Sequence, residues 1–535
     1  MSFPSPERPR TRSSRLPRSN PNDGSLPAGG PVSAGKIEAA FGPGSSIFTQ
    51  TTERLSHIFS QAGHVPPVAA RLREWRRSWE SVHGQVPPAD SLFIHQTYLA
   101  LLSRLVARRY VAPRRPISGA EEPLEIINCD YFSRRGIGNF GEGDFFSWVT
   151  LEARWGLALE KQVLDTIQGL AEALAPYDFT QAYPGIMDGL YRQTVPEPRL
   201  IPRWLAEYIV EEELGLANDP DLSLLDPACG TGVFLSAAVR AMSRTKTERG
   251  SDQFDLLFEL PPMVQGMDRD PLAVALARLN YLLALGELVQ QEHPPILLPI
   301  YLADAALIPV SHAVLPDDSF ISVSTPAGEF PLPDPMVDNP MMLDWVLGRL
   351  TNYMDGAQLR LHVQSEEEAV QEVMNAYYNY ITAQKPRTPV PDALTPKQAD
   401  ILLDTARSLV KLHIQGEGTL WLHLVQNNPA PAIFSRRGFD LLVGASPAAL
   451  FDTCSTLFLR PEGRVAMIMT SNEAASSSAG RRLVGLETVL PDAALLVTGQ
   501  QQQARLETTE GPIHHDISWS EAKATVRATE NAPGS

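Results

Sequence analysis

The chain has 535 residues, of which 43% are hydrophobic and 20% are charged, and its formal net charge is −17. This composition is ample for a large buried core, and the length suggests about three domains. The acidic balance argues against a protein that is held to nucleic acid mainly by bulk charge, although it leaves a local basic face open.

The cysteines and the apolar runs indicate the cellular compartment. Cys129, Cys229 and Cys454 are odd in number, scattered, and form no pair with metal-ligand spacing, which favours a reducing compartment. No apolar run reaches the roughly 20 residues of a membrane span, and the N-terminus lacks the apolar block of a secretory signal. We therefore expect a soluble, cytoplasmic protein without a membrane segment or a metal site.

The N-terminal third divides into two parts with different composition and periodicity. Residues 1–45 are rich in Pro, Ser, Gly and Arg, and this composition cannot bury enough apolar surface to order itself. The arginines there could contact phosphates, but a solvated tail is the simpler interpretation. Residues 46–180 repeat apolar residues three and four apart, which predicts a helical domain.

Strands and helices alternate from about residue 220. The strands are DLSLLD, MVQGMD and ILLPIYLAD, and this alternation predicts βαβ units and a parallel sheet. A proline-rich stretch and several helical patterns then interrupt the alternation, so we expect an insertion outside the sheet. Its last long helix has a capping-box signal at Thr395 and Gln398. The predicted division is a disordered tail (1–45), a helical N-terminal domain (46–180), a first part of the α/β core (181–310), a mostly helical insertion (311–435), a second part of the core (436–490) and a poorly ordered tail (491–535).

The most specific motif is DPACGTGVFL, which begins at Asp226 and joins a predicted strand to a predicted helix. Gly230 and Gly232 permit a tight turn and a close backbone approach to a ligand, and the helix start offers free N–H groups. A bare Gly-x-Gly indicates little, and a tight turn without a cofactor is the alternative. The full string resembles motif I of S-adenosylmethionine-dependent DNA methyltransferases that act on the adenine N6 amine.

The next two strand ends support the resemblance. QGMDRDPL is similar to motif II of this family, and YLADAAL is similar to motif III. The resemblance implies that Asp268 accepts the ribose hydroxyls of the cofactor and that Asp304 binds its adenine amine. It also places Asp226 near the methionine end and Ala228 in the same cofactor site. As alternatives, Asp268 could cap the next helix, a role that suits Asp270 better, and Asp304 could be an ordinary loop residue.

The segment LIPRWLAEYIVEEELG resembles motif X, which precedes motif I and packs on the cofactor. The family usually has an aromatic residue and a threonine before the proline of this motif. Here Leu200 and Ile201 precede Pro202 instead. We interpret Trp204 and Tyr208 as core residues rather than as cofactor contacts.

The strand FDLLVG resembles the family's fourth strand, which usually leads into Asn-Pro-Pro-Tyr. In that motif the asparagine and a proline carbonyl accept the amine protons of a flipped adenine, and the aromatic ring stacks on the base. Here the tip carries Ala445, Ser446, Pro447 and Ala448, so Pro447 is the remnant of the catalytic motif. The alternative is an acceptor loop elsewhere, near Asn339 in the stretch VDNPMM.

The resemblance implies an α/β fold with a mostly parallel, seven-stranded Rossmann-like sheet, a helical N-terminal domain and a helical insertion. It also implies S-adenosylmethionine as the cofactor. The segment after the fourth strand is shorter than in the family, and no target-recognition domain is visible downstream. DNA would then be reached through a partner or a missing recognition domain, with restriction or phage-defence subunits as partners.

The expected function is a site-specific DNA adenine N6-methyltransferase homologue of a restriction-modification or phage-defence system, impaired in this chain. The alternative is a non-catalytic, methyltransferase-like subunit that assembles with a DNA-reading partner. A small-molecule or RNA methyltransferase is a third hypothesis, but it requires another acceptor site, and the sequence offers none.

Overall fold

The computed structural model describes most of the chain from Pro31 onward. The described ranges are 31–87, 89–119, 121–142, 145–154, 159–196, 200–312, 319–358, 365–381, 394–477, 481–486, 488–498, 503–508 and 516–530. The prediction of a disordered tail is wrong for residues 34–41, because Ala34–Phe41 forms helix α1. Ser33 caps this helix, and Ile37 and Phe41 are fully buried. Residues 1–30 of that prediction lie outside the described residues.

The N-terminal helices share their core with the sheet. They are α2 (Ser46–Ala62), α3 (Pro66–His83), α4 (Asp90–Val111), α5 (Glu121–Ile127), α6 (Asp130–Arg134), α7 (Trp148–Arg154) and α8 (Glu160–Leu174). Apolar side chains of these helices and of the central sheet form one continuous buried cluster. Across this boundary the Tyr110 hydroxyl donates a hydrogen bond to the Leu283 carbonyl at 3.3 Å. The helical region is therefore packed onto the α/β core.

Twelve strands are present in the described part of the chain. They are β1 (Leu224–Asp226), β2 (Val264–Asp268), β3 (Ile300–Leu302), β4 (Val310–His312), β5 (Phe320–Thr325), β6 (Gly328–Pro333), β7 (Phe439–Ala445), β8 (Leu459–Thr470), β9 (Arg481–Gly485), β10 (Ala493–Thr498), β11 (Gln503–Thr508) and β12 (Val526–Glu530). The remaining helices are α9 (Asp188–Arg192), α10 (Arg203–Tyr208), α11 (Val233–Glu248), α12 (Gln253–Met263), α13 (Pro271–Ala284), α14 (Asp334–Val337), α15 (Pro340–Gln358), α16 (Glu366–Ile381), α17 (Pro396–Leu412), α18 (Leu420–Asn427), α19 (Ala430–Arg437), α20 (Ala448–Phe458), α21 (Ser471–Ser476) and α22 (Trp519–Ala522).

The central sheet has nine strands in the order β12-β11-β9-β10-β8-β7-β1-β2-β3. The five strands from β8 to β3 are mutually parallel, and β10 runs antiparallel to both β8 and β9. Their buried side chains lie under helices such as α11 and α13, as a parallel sheet requires. The protein is thus a mixed α/β structure built on a mostly parallel sheet.

The C-terminal part of the sheet corrects two expectations. The family resemblance implied seven strands, and the composition predicted a poorly ordered tail over 491–535, but the central sheet has nine strands and β10, β11 and β12 belong to it. Strand β11 buries Ala504 and Leu506 and exposes Gln503 and Arg505. This alternation extends over only six residues and includes charged side chains, so it gave a weak strand signal.

The inserted segment has its own apolar core. Helices α14 to α19 make up most of it, and β4, β5 and β6 add a three-stranded antiparallel sheet that the sequence did not predict. Two prolines within β6 obscured this strand. The capping box at Thr395 and Gln398 is confirmed at the start of α17. Among the described residues, no strand of this segment joins the central sheet. No described helix is long and apolar enough to cross a bilayer.

Candidate functional site

A cavity of about 620 Å³ opens where β1, β2, β3 and β7 end. Strands β2 and β3 follow β1 on one side, and β7 and β8 lie on its other side, so the strand order reverses between β1 and β7. In open α/β sheets, ligands bind at the carboxyl ends of the strands, at this kind of reversal. The cavity is also within the size range of small-molecule sites.

The structure brings most of the predicted site residues to this cavity. The lining includes Asp226, Ala228, Gly230, Asp268, Asp304, Ala445, Ser446 and Pro447. Gly232 lies in the same turn as Gly230, directly before α11. Ala448 begins α20 behind the strand tip and is not part of the described lining.

The turn after β1 depends on its glycines. Both Gly230 and Gly232 have left-handed backbones, with φ of 53° and 81°. A Cβ at Gly232 would lie 3.1 Å from the Cβ of Ala277 on α13, so a side chain there would separate two packed helices. A Cβ at Gly230 would meet nothing within 4 Å, which leaves space beside the backbone on the cavity side. The turn therefore combines close helix packing with room for a ligand.

Asp268 holds this turn in place. Its Oδ2 accepts a hydrogen bond from the Gly230 N–H at 2.8 Å, and its Oδ1 accepts one from the Asp270 N–H at 2.9 Å. Burial raises the pKa of Asp268, while both hydrogen bonds act in the opposite direction. Asp270 caps α13 by accepting from the Leu272 N–H, so the helix-cap role belongs to Asp270, as predicted.

Asp226 is the most buried carboxylate of the site, at 1% exposure. Its Oδ1 accepts from the Ala228 N–H at 3.2 Å, whereas its Oδ2 has no hydrogen-bond partner among the described residues. Burial raises the pKa of Asp226 well above its usual value, and repulsion from Asp268 raises it further. A buried carboxylate oxygen without a partner indicates a missing donor.

Asp304 lies at the tip of β3, on the more open side of the cavity. Its Oδ1 accepts from the Ala306 N–H at 2.9 Å, and its Oδ2 lies 3.6 Å from Nη1 of Arg269. Its side chain is 22% exposed, so it can reach a ligand without a rearrangement of the fold.

Several lining residues were missed in the sequence. Asp188 and Tyr191 come from α9, and Val82 and His83 come from the end of α3. Burial raises the pKa of Asp188 to about 7, despite hydrogen bonds with Thr231 and Asn280 that lower it. The Tyr191 hydroxyl donates to Asp270 at 3.0 Å. No sequence motif marks these positions, because packing of the N-terminal helices brings them to the sheet.

The segment that resembles motif X contributes Leu200 and Ile201 to the cavity wall. Trp204 and Tyr208 are buried at 1% and 7% exposure and are not part of the described lining, which confirms their interpretation as core residues.

The tip of β7 presents small side chains to the cavity. The Ser446 N–H donates to the Ile468 carbonyl at 3.1 Å, and the Ser446 hydroxyl contacts the Met467 sulfur at 3.3 Å. Pro447 directly precedes α20. The described lining of the cavity contains no asparagine or glutamine. Asn339 lines a separate cavity and caps α15 by accepting from the Met342 N–H, so it is not an acceptor for this site.

The described residues offer no metal cluster, and the three cysteines are buried. The described residues contain no group of three or more His, Cys, Asp or Glu side chains that could hold a metal ion. Cys129, Cys229 and Cys454 are free and buried. Burial raises the pKa of Cys229 well above its usual value and that of Cys454 to about 12, so both thiols are poor nucleophiles.

No protein-family model matches the chain, and no curated protein matches it. Solved structures with some likeness are restriction-modification proteins. The type ISP enzyme LlaBIII bound to DNA is 9% identical, with a TM-score of 0.44 over 90% of this chain and 31% of that chain. A nuclease-deletion mutant of LlaGI in complex with a DNA substrate mimic is 10% identical, with a TM-score of 0.37 over 91% and 37%. A protein assigned as the modification subunit of a type I restriction enzyme from Vibrio vulnificus YJ016 is 11% identical, with a TM-score of 0.35 over 87% and 92%. The chain spans about a third of the length of the first two.

Proposed function

We propose that the chain is a homologue of the adenine-specific N6 DNA methyltransferases of restriction-modification or phage-defence systems. In this proposal it binds S-adenosylmethionine and lacks autonomous methylation activity. The observation that carries the proposal is the convergence of a glycine turn and three strand-end carboxylates, Asp226, Asp268 and Asp304, on one cavity. The sequence motifs of these four features resemble that family in the same chain order.

The residues of the cavity fit this cofactor. Asp268 would accept the ribose hydroxyls, since each of its oxygens has a free lone pair besides the one that accepts a backbone N–H. Asp304 would accept a hydrogen bond from the adenine amine, and the space beside Gly230 would hold the methionine part. The unpartnered Oδ2 of Asp226 would receive a donor or a positive charge from that part. When bound, the cofactor supplies an activated methyl group on a sulfonium.

At the tip of β7, where the family binds the target base, the residues of this chain do not match the family motif. Ala445 offers no side-chain acceptor and Ala448 offers no aromatic face for a flipped base. The Ser446 hydroxyl at this tip is buried against Met467. Loss of aromatic stacking costs about 1 to 3 kcal/mol, and a buried amine without an acceptor costs a similar amount. Together these losses lower the rate by roughly three orders of magnitude.

The same tip favours a second candidate function, a non-catalytic subunit that assembles with a DNA-reading partner. A chain with a net charge of −17 gains little from phosphate backbones by itself. Co-purification of the chain with the product of a neighbouring gene, followed by a DNA-binding assay on the complex and on each component, distinguishes this candidate from an isolated enzyme. The subunit hypothesis requires that the complex binds DNA and that the chain alone does not.

Two measurements on one preparation test the primary proposal. Equilibrium dialysis with labelled S-adenosylmethionine should show saturable binding that S-adenosylhomocysteine displaces and ATP does not, because the methionine part contacts the glycine turn. Tritium transfer from the labelled cofactor to unmethylated DNA should be undetectable. Absence of binding would refute the cofactor assignment, and robust transfer would show that the acceptor site lies elsewhere than at the β7 tip.

A further inference from the structure

The end of helix α3 reaches the proposed cofactor cavity from outside the sheet. Val82 and His83 line it together with Arg269 and Asp304, which belong to the β2 and β3 ends. Directly after His83 the chain turns away, because Gly84 adopts a left-handed backbone with φ of 69° and its N–H donates to the Glu80 carbonyl at 2.8 Å. His83 is thus the last residue of the helix and lies at the cavity.

This helix end is fixed to the sheet by polar contacts. The Ser78 hydroxyl donates to the Arg269 carbonyl at 3.0 Å, which ties α3 to the loop after β2. The Arg269 guanidinium in turn lies 3.6 Å from Asp304, at the tip of β3. His83 is therefore held on the side of the cavity where Asp304 would bind the adenine amine.

The His83 ring also packs against the ring of Trp79. Its centroid lies 3.9 Å from that of Trp79, with an angle of 35° between the planes, and Trp79 is buried at 4% exposure. Burial and the nearby Arg269 both lower the pKa of His83, so the ring is neutral at neutral pH. A neutral aromatic ring against a fixed tryptophan is a suitable surface for a purine.

We propose that His83 stacks on the adenine of the bound cofactor, so that the N-terminal helical region completes the S-adenosylmethionine site. This inference rests on the proposed function and adds a residue that no strand-end motif contains. His83 is a binding residue here: it contacts the adenosine part, which takes no part in methyl transfer. The helical region then contributes to cofactor affinity in addition to its packing role.

Calorimetric titration of S-adenosylhomocysteine into the full chain tests the proposal with three variants. His83→Ala should weaken binding roughly 10-fold, since a stacked base contributes about that much affinity. His83→Phe should bind within about 3-fold of the wild type, because it retains an aromatic face. His57→Ala is the matched control: His57 is an exposed residue of α2 that contacts Gln61, and its removal should leave the affinity unchanged.

The outcomes separate the two proposals. Equal binding by the wild type and His83→Ala, or a loss in His83→Phe as large as that in His83→Ala, would overturn the stacking role while the cofactor site remained. A wild-type chain that does not bind at all would overturn the proposed function itself. Thermal unfolding of each variant without ligand identifies a loss of affinity caused by misfolding, and His83→Phe then decides the stacking role.

Discussion

Asp226, Asp268 and Asp304 differ in how far the protein already satisfies their hydrogen-bonding capacity. Asp268 accepts two backbone N–H groups, and Asp304 accepts one and lies near Arg269. Asp226 accepts one, and its second oxygen is buried without a partner among the described residues. A ligand that brings a donor or a positive charge therefore gains most at Asp226, which fits the cationic methionine end of the proposed cofactor.

At this scale the sequence predicted the carboxylates but not their neighbours. Aspartates that follow buried parallel strands must meet at one edge of the sheet, so Asp226, Asp268 and Asp304 could be grouped from their positions alone. Asp188 and His83 belong to helices far away in the chain. Their place at the cavity depends on how the N-terminal helices pack, and a single sequence carries no local signal for that packing.

The buried Asp188 predicts a pH dependence of stability. Burial raises its pKa from 3.8 to about 7, so below about pH 4 the carboxyl is protonated in both the folded and the unfolded chain. Between about pH 4 and 7 the unfolded chain ionises first, and the stability contributed by the protonated form is lost as the pH rises. Asp188→Asn removes this titration, and between pH 5 and 8 it should lose less free energy of unfolding than the wild type, by on the order of 2 kcal/mol.

Denaturant unfolding at pH 5 and pH 8 measures this difference. Asp255→Asn on α12 is a suitable control, because Asp255 is exposed and should not change the pH profile. Parallel pH profiles for the wild type and Asp188→Asn would contradict the assignment of a raised pKa to Asp188.

At the scale of elements, the site differs from the family motif in its backbone as well as in its side chains. The difference lies at the junction of β7 and α20. The strand ends at Ala445 and the helix begins at Ala448, so only two residues join them. Within this short junction the Ser446 N–H extends the pairing with β8 through the Ile468 carbonyl. The tip is therefore part of the sheet's hydrogen bonding rather than a free loop.

This pairing predicts the result of an attempted repair. The combined variant Ala445→Asn, Ser446→Pro and Ala448→Tyr restores the family's residue types, but proline removes the N–H that bonds to Ile468. We expect no recovery of tritium transfer to DNA, and a loss of about 1 kcal/mol or more in the free energy of unfolding. The variant Ala445→Asn with Ala448→Tyr, which keeps Ser446, is the control and should retain more stability. Substantial transfer by the triple variant would show that the missing side chains alone impair the site.

Helices and strands were predictable where the periodic or apolar run was long and its ends carried clear signals. Helix α17 has a capping box and 17 residues, and strand β7 is an apolar run that ends near a glycine. Strands β5, β6, β11 and β12 are among those that were not predicted, because each has at most six residues and includes prolines, charges or exposed polar positions. Such strands form because a neighbouring strand pairs with them, and that neighbour is not visible locally.

At the scale of the whole molecule, the described residues form three buried apolar clusters. The N-terminal helices, the central sheet and the C-terminal strands share one cluster, and the inserted segment has a second. A third cluster joins other side chains of the central sheet to α19 of the inserted segment and to α20. The whole chain has a net charge of −17, and the proposed cofactor cavity is lined by five aspartates, Asp188, Asp226, Asp268, Asp270 and Asp304. These carboxyl groups suit a ligand that brings hydrogen-bond donors or a positive charge, and the net charge of the chain opposes a phosphate backbone. In the proposed function, DNA contact would therefore depend on another protein or domain.

The most direct test of the account is a calorimetric titration of S-adenosylmethionine into the wild type and Asp268→Ala. Asp268 orders the glycine turn and is the proposed ribose ligand, so its loss should weaken binding roughly 10-fold to 100-fold. Asp255→Ala, at an exposed position of α12, should bind like the wild type. Equal affinity of the wild type and Asp268→Ala would contradict the account, because the cofactor would then lie elsewhere than at the ends of β1, β2 and β3.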